Sequence, residues 1–317
     1  QTLESISQSL KLYINNYIKL VDPDSGKMYP SINSILDTRR MSMSTPNPQQ
    51  LTKFGKSKSV RSFFLSDDEN SVIIAPDFSA IELLIIGGYS GDSAFLRAYG
   101  QRPHADLHSQ TAAFMTGLSL EDFNKLPNKK QLRNEIGKPS GFGYFYSGSL
   151  STVGKPLGWE KEKIWEMTEL FREGYAEAEQ WRLATIAEAK QRGYVELPDH
   201  LRRYCFESTP MWAQLMQQKF DKLGVGEFGK QCIRRIQNRA GNKVVNSKVQ
   251  GLCATYVKRK LYRAMFNDIP RLGLKARVMF PCHDEVVCSV HRDSVFKFKD
   301  YIYNLMVESE GIFNNVV

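Results

Sequence analysis

The sequence predicts a mixed α/β chain of the α+β kind, and three observations carry that expectation. Short β-branched runs stand far apart, Ser71-Val72-Ile73-Ile74-Ala75 in one place and residues 277–280 with 286–290 in another. Such residues favour strands, and Pro76 and Pro281 are expected to end or edge them. Long segments with the apolar period of helices, 159–191 and 238–265, supply the second observation. The third is that each strand-like run leads to a carboxylate. Asp77 follows Pro76, and Asp284 falls in the turn of an expected hairpin, next to Glu285. A lone Asp after a strand is most often a solvated turn acid. Two of them on rigid strands have the chemistry to share a pair of divalent metals, since Mg²⁺ takes oxygen ligands and keeps room for substrate phosphates.

Bulk properties set the frame. At 317 residues and 36.2 kDa the chain can bury one large core or two modest ones. A net charge of +9 favours a polyanionic partner. No run reaches transmembrane length and no export signal is evident, so no membrane partner is expected. Five cysteines without zinc-like spacing read as buried thiols of a reducing compartment, a cytoplasm, or a host cytoplasm if the chain is phage-encoded.

In chain order, residues 1–30 show mixed helical spacing and then a turn at Asp22-Pro23-Asp24-Ser25-Gly26. A polar loop carrying Arg39 and Arg40 follows, and Lys53, Lys56, Lys58 and Arg61 extend the basic stretch. Glu82 is an acid at the edge of the apolar run 83–86, where a carboxylate needs a partner. His108 enters an alanine-rich helix ended near Gly117, and Ser119 has the character of a helix cap. Lys138, Phe142 and Tyr146 are spaced by four, so a helix presents them on one face. A phosphate-binding ammonium, a flat ring and a phenol on one face suit a nucleoside triphosphate pocket. Pro139 predicts a kink or restart of that helix. The 159–191 segment is expected to break at Gly174 and to end at Gly193, before a short hairpin over 194–204. Asn246 and Gln250 share a helix face among lysines and can offer amides to the minor groove. A final amphipathic helix is expected over 293–307.

Asp77-Phe78-Ser79-Ala80-Ile81-Glu82-Leu83 resembles the first catalytic motif of the family A DNA polymerases, and His283-Asp284-Glu285 resembles the third. Arg133, Lys138, Phe142-Gly143 and Tyr146 resemble the second, helical one. The matches run in order across almost the whole chain. The resemblance implies a polymerase right-hand fold, with mostly helical fingers over residues 83–233 set between two palm segments. The palm carries an antiparallel sheet and is drawn from residues 1–82, with a thumb remnant in 1–20, and from residues 234–317. The resemblance also implies primer extension by two-metal phosphoryl transfer, with Mg²⁺ as cofactor and Mn²⁺ as a substitute. Asp77 and Asp284 become the metal ligands and, with Glu285, the catalytic acids. Glu82, His108, Arg133, Lys138, Phe142 and Tyr146 become the nucleotide site, with Glu82 bonded to Tyr146 beneath the sugar. Arg40, Gln49, Arg61, Asn246, Gln250 and His283 become DNA contacts.

The expected partners are primer-template DNA, deoxynucleoside triphosphates, and a thumb or exonuclease portion supplied upstream or by a separate chain. Departures from the family pattern are also plain. Arg39 stands where glycine is usual, Leu84 and Asn242 where arginine is usual, and Arg133 lies five residues before Lys138 instead of four. Other candidate functions are a single-subunit RNA polymerase, a catalytically weakened nucleic-acid-binding replication subunit, and a two-metal hydrolase. The last needs further acids near Asp77, which the sequence lacks.

Overall fold

The computed structural model describes residues 7, 10, 15–51, 56–78, 80–100, 105–282 and 284–309. Seven strands occur among them: β1 (Ser31–Asn33), β2 (Ser42–Ser44), β3 (Ser71–Ile74), β4 (Tyr194–Glu196), β5 (Arg202–Tyr204), β6 (Ala276–Cys282) and β7 (Glu285–His291). The chain divides into two compact units, Gln1–Ser79 with Cys253–Glu308, and Ala80–Leu252 with Ser309–Val317.

The first unit is built on a three-stranded antiparallel sheet in the order β3-β7-β6. Six successive residues of the central β7, Glu285 to Val290, are buried. A central strand covered on both faces explains why 286–290 reads as a continuous apolar run. β6 keeps Pro281 inside the strand, which meets the second of the two expectations, that proline ends a strand or lies on an edge one. The sheet order gives the reason: β6 lies at an edge, where a missing N–H costs no ladder bond, and a bulge between Val278 and Phe280 adjusts the register. The helix Val295–Val307 buries Phe298, Ile302, Leu305 and Met306. Tyr256 ties the end of that helix to residues 253–262, its hydroxyl donating to Met306 O at 2.9 Å.

The second unit is mostly helical, with β4 and β5 as a small antiparallel hairpin. Its aromatic core gathers Phe95, Tyr144, Phe145, Phe171 and Tyr175, all buried, with ring centroids 4.6–6.4 Å apart in the contacting pairs. The 159–191 segment forms two helices, Lys161–Gly174 and Ala176–Arg192, and Gly193 closes the second in the left-handed conformation that glycine adopts freely. Ser119 caps the helix Leu120–Lys125 through the N–H of Asp122. The expected 238–265 helix begins earlier: it spans Gly226–Tyr262 and passes into a π-helical turn, Arg263–Asp268. Its first turns carry Gly226 and Gly229, which weaken a helical reading even though Phe228, Cys232, Ile233 and Ile236 recur at helical spacing. Four non-glycine positions among the described residues carry positive-φ backbone, Arg39, Thr45, Ala80 and His200. Arg39 and Ala80 have φ of 60° and 54°, the left-handed region that side chains with a β-carbon resist. The departure from glycine at Arg39 therefore keeps the backbone shape and accepts its cost.

Candidate active site

In the sheet unit the acids meet at one end of the strands. Beyond β3 the chain stays extended through Pro76 to Asp77, which forms an isolated antiparallel bridge with Glu285. Val286 N–H donates to Pro76 O at 3.0 Å, and Phe78 N–H donates to Asp284 O at 3.3 Å. Residues opposed in this way have Cα atoms about 4.5–5.5 Å apart. Asp77 is exposed, Asp284 half-buried in the β6–β7 turn, and Glu285 buried. Arg61 places its guanidinium 3.6 Å from the Glu285 carboxylate, the kind of partner that burial of a charge requires.

Of the expected DNA contacts in this unit, His283 lies outside the described residues. Arg40 is half-buried in the loop before β2. Gln49 is committed to the protein: its amide donates to Met41 O at 3.1 Å and to Pro281 O at 3.2 Å. That bond pins the 47–50 segment against β6, and sequence spacing gives no sign of it.

In the helical unit, the helix Lys138–Ser147 presents Lys138, Phe142 and Tyr146 at successive turns, with Pro139 in its first turn, where proline is tolerated. The Phe142 and Tyr146 rings stack 6.3 Å apart, and the His108 ring lies 5.8 Å from Phe142. The Tyr146 hydroxyl donates to the Glu82 carboxylate in a short bond, and both side chains are half-buried. Lys138 is exposed, with no ion-pair partner among the described residues. His108 is only 6% exposed at the start of the helix Leu107–Met115. Burial first, and then the positive charges of Arg133 and Lys138, lower its pKa to about 4 against the opposing pull of Asp106, so the imidazole is neutral near pH 7. Arg133 pairs with Asp106, a residue outside the candidates that the sequence suggests. The cap role of Asp106 before His108 is legible in sequence, but its pairing with an arginine 27 residues away is not.

Asn246 and Gln250 are both half-buried on the Gly226–Tyr262 helix. Asn246 Oδ1 is buried without a hydrogen bond among the described residues. Asn242 donates to Ser147 O at 3.0 Å, so the residue standing in place of arginine ties two helices together. Among the described residues, no group of three or more His, Cys, Asp and Glu forms a ready metal cluster. No described helix is long and apolar enough to cross a membrane.

The three-dimensional likeness is broad. The structure titled "POL domain of Pol1 from M. smegmatis complex with DNA primer-template and dNTP" aligns with a TM-score of 0.78 and 20% identity, covering 95% of this chain and 48% of that one. The fold is therefore that of a polymerase domain, mostly helical with small antiparallel sheets. A family model described as DNA polymerase family A matches residues 2–316, and the chain belongs to that family. Among curated relatives, thermostable DNA polymerase I of Thermus thermophilus is 27% identical over 285 residues, which is 89% of this chain and 30% of that protein. DNA polymerase I of Bacillus subtilis (strain 168) is 24% identical over 285 residues, 89% of this chain and 29% of the relative. The chain thus spans about 30% of the length of these relatives.

Proposed function

We propose that this chain carries the polymerase centre of a template-directed DNA polymerase, adding deoxynucleotides to a primer 3′ end and releasing pyrophosphate. The sheet unit serves as palm and the helical unit as fingers. The observation that carries this reading is the bridge of Asp77 to Glu285, which sets the carboxylates of two distant sequence motifs at one sheet end.

The donor set suits Mg²⁺, with Mn²⁺ as a substitute. Carboxylates on Asp77 and Asp284 supply hard oxygen ligands, and a site with few protein ligands leaves positions for water and phosphate. Asp77 and Asp284 would hold two ions, which supply a primer hydroxyl of lowered pKa and charge neutralisation on the phosphates. Glu285, paired with Arg61, steadies the hairpin end beside them. Lys138, Arg133 and the neutral His108 provide donors for the triphosphate, whose charge grows on the leaving group. Phe142 offers a flat face to the base or sugar. Glu82 and Tyr146, bonded to each other, close the space where a ribose 2′-hydroxyl would lie. Arg40, Asn246 and Gln250 face primer-template DNA in this reading, while Gln49 acts through the loop it anchors. The bond between Glu82 and Tyr146 favours a deoxyribonucleotide substrate over the RNA polymerase alternative.

Primer extension on a defined template tests the proposal. Asp77→Asn and Asp284→Asn should each abolish nucleotide addition while duplex affinity stays within about twofold, since neither acid is a phosphate-binding cation. Extension by either variant at the wild-type rate would overturn the assignment of the metal site.

A further inference from the structure

Arg133 stands five residues before Lys138. On an unbroken α-helix, residues five apart are rotated by about 140°, so the two cations would diverge. The chain avoids this with a π-helical turn over Arg133–Gly137, in which Lys138 N–H donates to Arg133 O. Such a turn absorbs one extra residue and stands the fifth residue above the first. Gly137 lets the turn lie directly on the helix Leu107–Met115, because a β-carbon there would come within 2.0 Å of His108 O.

Arg133 is thereby delivered to the start of the neighbouring helix, where Asp106 is the cap. Its Nε and Nη2 donate to the two carboxylate oxygens of Asp106 at 2.5 and 3.1 Å. The carboxylate is itself held in place, accepting the His108 N–H at 3.2 Å and the Ser109 hydroxyl at 2.7 Å. This pair occupies one edge of the guanidinium. Among the described residues, the remaining Nη1 donates to the Asn134 side chain, at 3.3 Å. A planar guanidinium tethered along one edge has already lost the rotamer freedom that ligand binding would otherwise remove.

We propose that Asp106 is a positioning residue for the nucleotide: through the π-helical turn it holds Arg133 beside His108 and Lys138, so that one polyphosphate meets all three. The inference rests on the nucleotide-site reading above. It differs from a purely structural role for Asp106, because asparagine caps a helix as well as aspartate but cannot pair with arginine as an anion.

The test uses the full chain and its Arg133→Ala, Asp106→Asn and doubly substituted variants. The dissociation constant of dTTP with Mg²⁺ is measured by calorimetry, and KM and kcat by primer extension. Asp106→Asn should raise the dissociation constant and KM about tenfold, leave kcat within about twofold, and leave Tm unchanged. In the Arg133→Ala background the same substitution should add nothing. A dissociation constant unchanged or lowered by Asp106→Asn, where Arg133→Ala raises it, would overturn the positioning role. An equal penalty in both backgrounds would overturn it as well. If Arg133→Ala itself changes nothing, the nucleotide-site assignment of Arg133 fails, and this inference goes with it.

Discussion

Glu82 has a half-buried carboxylate whose hydrogen-bond donor is the Tyr146 hydroxyl. Removing it frees both volume and an acceptor at one point. Glu82→Ala should therefore raise ribonucleotide relative to deoxyribonucleotide incorporation, measured as a ratio of kcat/KM values. Equal losses for both sugars would reduce Glu82 to a packing acid. His108 makes a second prediction. Burial and the neighbouring cations place its folded pKa at about 4, well below the ordinary histidine value of about 6.5. Between those values the unfolded chain holds a proton that the folded chain does not, so stability rises with pH across that window. Acidifying from about pH 6.5 to 4 should cost stability, and His108→Gln should flatten that slope in denaturation curves. An imidazole that titrates near 6.5 in the folded chain, followed by NMR, would contradict the burial argument.

Among the elements, the strands and the helix breaks are the most legible. Ser71–Ile74 and the 286–290 run are short and rich in β-branched residues, and neighbouring signals close them off. Gly193 ends its helix because the left-handed cap needs no β-carbon. The helix Pro210–Lys222 lies outside the elements expected above, although Thr209 before Pro210 is a legible start and Trp212, Met216 and Phe220 recur four apart; it buries no residue. The π-helical turn is invisible, since proline and glycine near 137–139 suggest only a break. Gly137 supplies the test at this scale. Gly137→Ala must push either the turn or the helix Leu107–Met115 aside, because the clash is with backbone, and should cost about 1–3 kcal/mol. Thermal denaturation reads this directly, and an unchanged Tm would show that the two elements do not pack as closely as they stand here.

For the molecule as a whole, the net charge of +9 makes the proposed binding to DNA one governed by counterion release. Affinity for a primer-template duplex should fall by orders of magnitude between about 50 and 200 mM salt, and Arg40→Ala should reduce the slope by about one. A change of about threefold or less over that range would exclude several phosphate contacts.

What the sequence determined alone is the chemistry that depends on short spacing. Asp77 at a strand end, Asp284 in a hairpin turn, and the face shared by Lys138, Phe142 and Tyr146 all follow from local periodicity. Such features are fixed within a few residues by backbone geometry. The tertiary structure decided the partners. Gln49 spends its amide on a carbonyl 232 positions away, Arg61 lies against Glu285, and Arg133 is claimed by Asp106. It also decided that Pro281 could stay in a strand, because only the sheet order makes β6 an edge. A side chain's type and local spacing limit what it can bond, but the choice among distant partners belongs to packing, which no local pattern encodes.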